Sequence, residues 1–128
     1  MADRGTVETV QLFGPSVWLV ELAGEHDVST APRVEAAFDQ IDLTGTIVVD
    51  FSRASLVDST IVGVVVRRWR GGATLLLVVP REGAVRSVLD LVGVTALLRT
   101  FETREEALQA ASAPACGTLG EDRFARRR

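Results

Sequence analysis

The chain has 128 residues, with 14 basic side chains that are all arginine, 17 acidic ones and a net charge of −3. That length suits one domain with a proper core, and the acidic balance argues against a dedicated nucleic-acid binder, which carries a basic excess. Without lysine there is no Walker-type phosphate loop and no Schiff base, and the lone cysteine, Cys116, closes no internal disulfide and builds no cysteine metal cluster.

In chain order, residues 7–13 and 16–22 are β-rich runs split by Gly14-Pro15, which predicts an antiparallel hairpin. Residues 23–27 read as a polar loop. Ser29 and Thr30 follow as cap positions, with Pro32 opening a helix that runs to Ile41 through Val34, Ala37 and Phe38 at spacings of three and four. Residues 46–51 form a nearly continuous apolar run, the pattern of a strand covered on both faces, and a short polar loop leads on to Asp58.

Residues 60–70 are ambiguous. Ile61-Val62-Gly63-Val64-Val65-Val66 favours strand by propensity. Asp58-Ser59-Thr60 in front, and Arg67, Arg68 and Arg70 behind, match the charge preferences of helix ends, and Gly71-Gly72 supplies a stop. A helix here also gives residues 73–79 a parallel crossover, so helix is the assignment. Pro80 ends that strand. Residues 82–92 are helical through Val85, Val88, Leu89 and Val92, with Gly93 as the cap. Residues 95–101 read as the last strand, and Thr103-Arg104-Glu105-Glu106 opens a final helix with capping-box spacing.

This order predicts a single α/β domain over residues 1–112, with a mixed sheet of about five strands and about four helices packed against it. Residues 113–128, with their Pro, Gly and terminal arginines, read as a flexible tail. The first ten residues carry early charges and no apolar leader core, and the apolar runs are short and broken by arginines. A cytoplasmic protein with no membrane span is the expectation.

No catalytic set assembles. His26, the only histidine, lies between Glu25 and Asp27 in what reads as a solvated loop, without further metal ligands at a defined spacing. Ser59, His26 and Asp27 are the residue types of a hydrolytic triad, but no G-x-S-x-G elbow surrounds Ser59. Asp50, ending an apolar strand, is similar to the acceptor of receiver domains; that family also uses a lysine, and this chain has none. What remains is Asp27, Asp58 and Ser59, which α/β topology gathers at the carboxyl edge of the sheet. Ser59 reads either as an N-cap or as a hydroxyl that accepts a phosphate where the helix dipole tolerates one.

Gly24-Glu25-His26-Asp27, Val48-Val49-Asp50-Phe51-Ser52 and Val57-Asp58-Ser59-Thr60 together resemble the STAS domain of bacterial anti-sigma factor antagonists. The similarity continues through Gly72, Val85, Leu89, Gly93-Val94 and Glu105-Glu106-Ala107-Leu108. The resemblance implies a binding module and not an enzyme, with no cofactor or metal of its own. Its partner would be an anti-sigma factor, in many systems a serine kinase using ATP and Mg²⁺, and a phosphatase would reverse the modification. Carried over, Ser59 is the phosphorylated serine, with Thr60 as the neighbouring alternative. Asp58 precedes it, and Asp27 is the acid of the earlier loop. Leu56, Val57, Ile61 and Val62 are apolar neighbours expected to meet the partner or the core. Three positions depart from the family: Ile61 stands where a small residue is usual, His26 replaces the usual apolar residue of the Gly-Glu-x-Asp loop, and Thr60 adds a second hydroxyl next to Ser59. A STAS scaffold, or a module sensing a nucleotide or lipid without phosphorylation, is the alternative reading.

Overall fold

Five strands and five helices make up the computed structural model over its described residues, 5–12, 16–41 and 45–112. The order is β1 (Thr6–Leu12), β2 (Val17–His26), α1 (Ala31–Asp39), β3 (Thr46–Val57), α2 (Ser59–Arg70), β4 (Thr74–Val78), α3 (Ala84–Leu91), α4 (Val94–Leu97), β5 (Arg99–Phe101) and α5 (Arg104–Ser112). The Gly14-Pro15 turn and the tail expected over residues 113–128, with Cys116, lie outside the described residues.

The strands form one mixed sheet in the order β1-β2-β3-β4-β5. The β1–β2 pair is antiparallel, and β2 through β5 run parallel. The apolar run of β3 explains its central place, because it is covered on both faces. Ile47, Val49 and Phe51 join Val20, Leu22, Leu75 and Leu77 beneath α1, α2 and α3. Val48 joins Leu19, Leu76 and Val78 on the opposite face, beneath Ala107 and Leu108 of α5.

The ambiguous segment is α2. Its β-branched residues each cost at most about 0.7 kcal/mol of helix propensity against alanine. Burying a valine or isoleucine contributes about 1.5–3 kcal/mol, and Ile61, Val62, Val64 and Val65 are all buried. Tertiary burial therefore outweighs propensity.

Three expectations are corrected. First, β2 and β3 do not stop at Leu22 and Phe51. They continue as a paired ribbon, Ala23↔Arg53, Gly24↔Ala54, Glu25↔Leu56 and His26↔Val57, past register shifts on either side of Ala23-Gly24. Gly24 takes φ 83° there, a left-handed conformation that glycine adopts without strain. Second, residues 94–97 form the short helix α4, which leaves only three residues of strand. Gly93 at φ 85° turns the chain, and Val94 and Leu98, four apart, are both buried, with the Leu98 amide donating to the Val94 carbonyl at 2.9 Å. Third, the cap of α2 is Asp58 and not Ser59.

Candidate functional site

The β2–α1 loop and the β3–α2 junction meet at the carboxyl edge of the sheet. Pairing of His26 with Val57 carries both strands to the same height, and the amide of Asp58 donates to the carbonyl of His26 at 3.2 Å. Asp27 and Ser59 therefore stand on adjoining loops, as expected from topology.

Each loop is shaped by its aspartate. The Asp58 Oδ1 accepts the amides of Thr60 at 3.0 Å and Ile61 at 3.2 Å, satisfying two orphan donors of α2. Ser59 is then the first helical residue, exposed, with its backbone fixed by a cap that its own hydroxyl does not provide. The Asp27 Oδ1 accepts the Ser29 amide at 2.9 Å and the Ser29 hydroxyl at 2.6 Å, while its carbonyl accepts the amides of Thr30 and Ala31. Both acids are thus held by local hydrogen bonds.

The apolar neighbours divide. Leu56 is exposed, whereas Val57, Ile61 and Val62 belong to the core beneath α1–α3. Those three side chains are structural, the core outcome of the two expected for this group. Ile61 is fully enclosed, so its bulk does not crowd Ser59. Thr60 is half-buried. Val28, two-thirds exposed beside Asp27, was not singled out from the sequence. An apolar residue between two polar ones in a loop is the signal that was available.

His26 is the largest surprise. It is completely buried and not a solvated loop residue. Its Nδ1 lies 2.9 Å from Thr30 Oγ1, and its Nε2 lies 3.1 Å from the Ala23 carbonyl and 3.2 Å from that of Thr6. Desolvation by burial holds the imidazole below its ordinary pKa, against the opposing pull of those two carbonyls. With both ring nitrogens engaged in this way, the residue types of a triad do not come together as one. Asp50 is buried as well, bound to Arg104 of α5 and to the Ser52 amide. Among the described residues, no group of three or more His, Cys, Asp or Glu side chains is arranged for a metal, and no helix is long and apolar enough to cross a membrane.

The sequence profile of the STAS domain matches residues 12–107. The chain is a member of the STAS domain family. Solved structures share the frame of this STAS domain. An anti-sigma factor antagonist from Mycobacterium paratuberculosis is 22% identical, over 86% of this chain and 96% of the other, with a TM-score of 0.75. The anti-sigma factor antagonist SpoIIAA in its unphosphorylated form is 22% identical, over 90% and 100%, with a TM-score of 0.65. The phosphorylated form of SpoIIAA, a Bacillus cell fate determinant, is 23% identical, over 82% and 98%, with a TM-score of 0.57. At these identities the likeness establishes the fold. No curated protein sequence matches the chain. The five-stranded mixed sheet and its helices are those of the STAS fold expected from the sequence.

Proposed function

We propose that this STAS domain is an anti-sigma factor antagonist, which binds an anti-sigma factor to release a sigma factor and is switched off by phosphorylation of Ser59. The observation that carries the reading is the exposed Ser59 at the first position of α2, held in place by the Asp58 cap on a fixed sheet edge. A kinase can reach such a hydroxyl without unfolding the domain. The dipole of the helix start favours the added negative charge. Support also comes from a structural neighbour, SpoIIAA, known in unphosphorylated and phosphorylated forms.

The switch follows from electrostatics. Phosphorylation adds roughly −1.5 to −2 charges at pH 7, beside Asp58 and on the loop adjoining Asp27. A partner that covers this edge must desolvate that charge, and every ~1.4 kcal/mol lost at the interface lowers affinity tenfold. Leu56 and Val28 are the exposed apolar side chains of this edge and supply contact area. In this reading the chain is substrate and binding module, not enzyme. ATP and Mg²⁺ belong to the anti-sigma factor as kinase, a phosphatase resets the serine, and the protein acts in the cytoplasm without a cofactor, nucleic acid or membrane.

The test is mass spectrometry after incubation with the cognate kinase and ATP, paired with calorimetric titration of the anti-sigma factor. Phosphate is expected on Ser59 and is lost in Ser59→Ala; phosphate that persists there and disappears in Thr60→Ala moves the acceptor to Thr60. Ser59→Ala keeps its affinity, and Ser59→Glu loses at least tenfold. Equal affinities for all three forms reject the switch. The alternative, a nucleotide- or lipid-sensing module, has one geometric basis: an open cleft of about 520 Å³ between β1 and α1, lined by Thr9, Arg33 and Gln40 among others. A nucleotide bound there, with no phosphate ever found on Ser59, establishes that reading instead.

A further inference from the structure

We propose that His26 is a proton-sensitive pin, which couples the protonation of one buried imidazole to the geometry of the edge that carries Asp58 and Ser59. Its bearing on partner binding rests on the function proposed above; the coupling itself is a property of the isolated domain.

His26 joins four pieces of structure, three through its ring and one through its backbone. Nε2 reaches the Thr6 carbonyl at the start of β1 and the Ala23 carbonyl at the irregular turn of β2, while Nδ1 reaches Thr30, the cap residue of α1. The backbone carbonyl of the same residue receives the Asp58 amide, the entry to α2. The ring packs directly against Gly5, where any added Cβ would collide with Nε2.

These partners assign the neutral ring its proton on Nε2, donating to the two carbonyls, with Nδ1 accepting from the Thr30 hydroxyl. A second proton on Nδ1 points at Thr30 Oγ1, so that hydroxyl must turn its own hydrogen away. The acceptor in reach is the Asp27 carbonyl, 3.2 Å from Thr30 Oγ1, which already receives the amides of Thr30 and Ala31 at 3.1 Å each. Protonation therefore loads the carbonyl at the base of the Asp27 loop. The charged ring also draws the carbonyls of β1 and β2 towards it, and His26 transmits any shift to the Asp58 amide that its own carbonyl holds.

Among the described residues, the charged groups acting on the ring are Arg33 from α1, which opposes the imidazolium, and Asp27 from the loop, which favours it. The entry to β1 contributes the uncharged Gly5 and Thr6, and β3 contributes the uncharged Val57 opposite. Burial outweighs the favourable partners, so the ring stays neutral at neutral pH and charges only below its ordinary value of 6.5. An unfolded chain takes up its proton first on acidification. Stability is thus intact above pH 6.5 and falls as the pH drops below it, levelling off once the folded ring is charged too.

Because the chain has a single histidine, imidazole NMR of the full-length protein from about pH 8 to about pH 5 reads this residue alone. The expected result is a neutral Nε2–H tautomer, a midpoint below 6.5, and amide signals of Asp58, Ser59 and Thr60 moving with that same midpoint. Those movements vanish in His26→Leu. In Thr30→Val the charged Nδ1–H is stranded, and the midpoint drops further. A midpoint at or above 6.5, or signals of residues 58–60 that stay still while the ring titrates, overturns the proposal. None of these readouts needs a kinase or an anti-sigma factor, so failure here leaves the Ser59 switch standing, and failure of that switch leaves this coupling standing.

Discussion

Arg104 donates from Nε to Asp50 Oδ2 at 2.6 Å, so the fully buried acid that ends the apolar run of β3 is neutralised by the first residue of α5. A second nitrogen of Arg104 bonds Glu21 on β2, and the Ser52 amide donates to the other Asp50 oxygen at 2.8 Å. Hydrogen bonding to Asp50 is the main reason that the guanidinium is held above its ordinary pKa. The pair fastens α5 over a sheet face whose remaining cover is largely alanine and leucine. Arg104→Met leaves Asp50 buried without its counter-charge. A dry pair broken on one side costs about 3–5 kcal/mol; with the Arg104 side chain 36% exposed, water offsets part of that, and a loss of about 2–3 kcal/mol is expected. Urea denaturation followed by circular dichroism measures it, and a midpoint unchanged from wild type contradicts the assignment.

Asp58, the cap of α2, and Ser59, its first residue, make separable contributions. Asp58 accepts two orphan amides of α2, and Ser59 accepts neither. Asp58→Ala is expected to cost about 1 kcal/mol, with Asp58→Asn close to wild type, since asparagine caps about as well. Ser59→Ala, at an exposed position outside the cap, is expected to change stability by less than about 0.5 kcal/mol. Thermal melts of the three variants decide it. If Ser59→Ala lost as much as Asp58→Ala, the serine would be part of the cap after all.

The central strands were legible because burial on both faces leaves a continuous apolar run, as in Ile47–Phe51, and α1 because Val34, Ala37, Phe38 and Ile41 mark one face. The ends of β2 and β3 were not legible. Their paired extension mixes exposed polar residues with the buried His26 and Val57, so no apolar run marks it, and a register shift follows Gly24, whose φ is positive. Residues 94–97 were misread because β-propensity is local, whereas their helical turn is set by Gly93 and by Val94 and Leu98 both reaching the core. At the site, the positions of Asp27, Asp58 and Ser59 on one edge followed from topology. The burial of His26 did not, because a histidine between two acids reads as solvated, and the carbonyls that enclose it come from residues 3 and 20 positions away.

Ile61, larger than the resemblance led one to expect, is explained by packing. Its side chain has no exposed surface and lies in the cluster formed with Phe38, Phe51 and Val85. A small residue here would open a cavity under the first turn of α2. Ile61→Ala is expected to cost about 2–4 kcal/mol, and Ile61→Gly about 1 kcal/mol more through helix propensity. Both variants should retain kinase recognition of Ser59 at temperatures where they are folded. Chemical denaturation gives the stability values. A loss below about 1 kcal/mol for Ile61→Ala would mean that the site collapses around the deletion.

Arg68 clamps α2 to α1, and its contribution is expected to depend on pH. It bonds Glu35 Oε1 at 2.8 Å, Asp39 Oδ1 at 2.6 Å and the Glu35 carbonyl at 3.3 Å, with its guanidinium 5.7 Å from the centre of the Phe38 ring. The hydrogen bond from Arg68 holds the Glu35 carboxyl below its ordinary value, the main cause of that shift. A depressed acid stabilises the fold above its unfolded pKa and loses that contribution as pH falls through the folded one. The difference between wild type and Arg68→Met should therefore be full above about pH 4.5 and shrink on further acidification. Glu35 and Asp39 are both substantially exposed, so solvent screening limits the effect to about 1–2 kcal/mol, with part of it lost at high salt. Denaturant midpoints of both proteins between about pH 3 and pH 7 test this. A difference that stays constant across that range would assign the role of Arg68 to its packing on Phe38 and not to its charge.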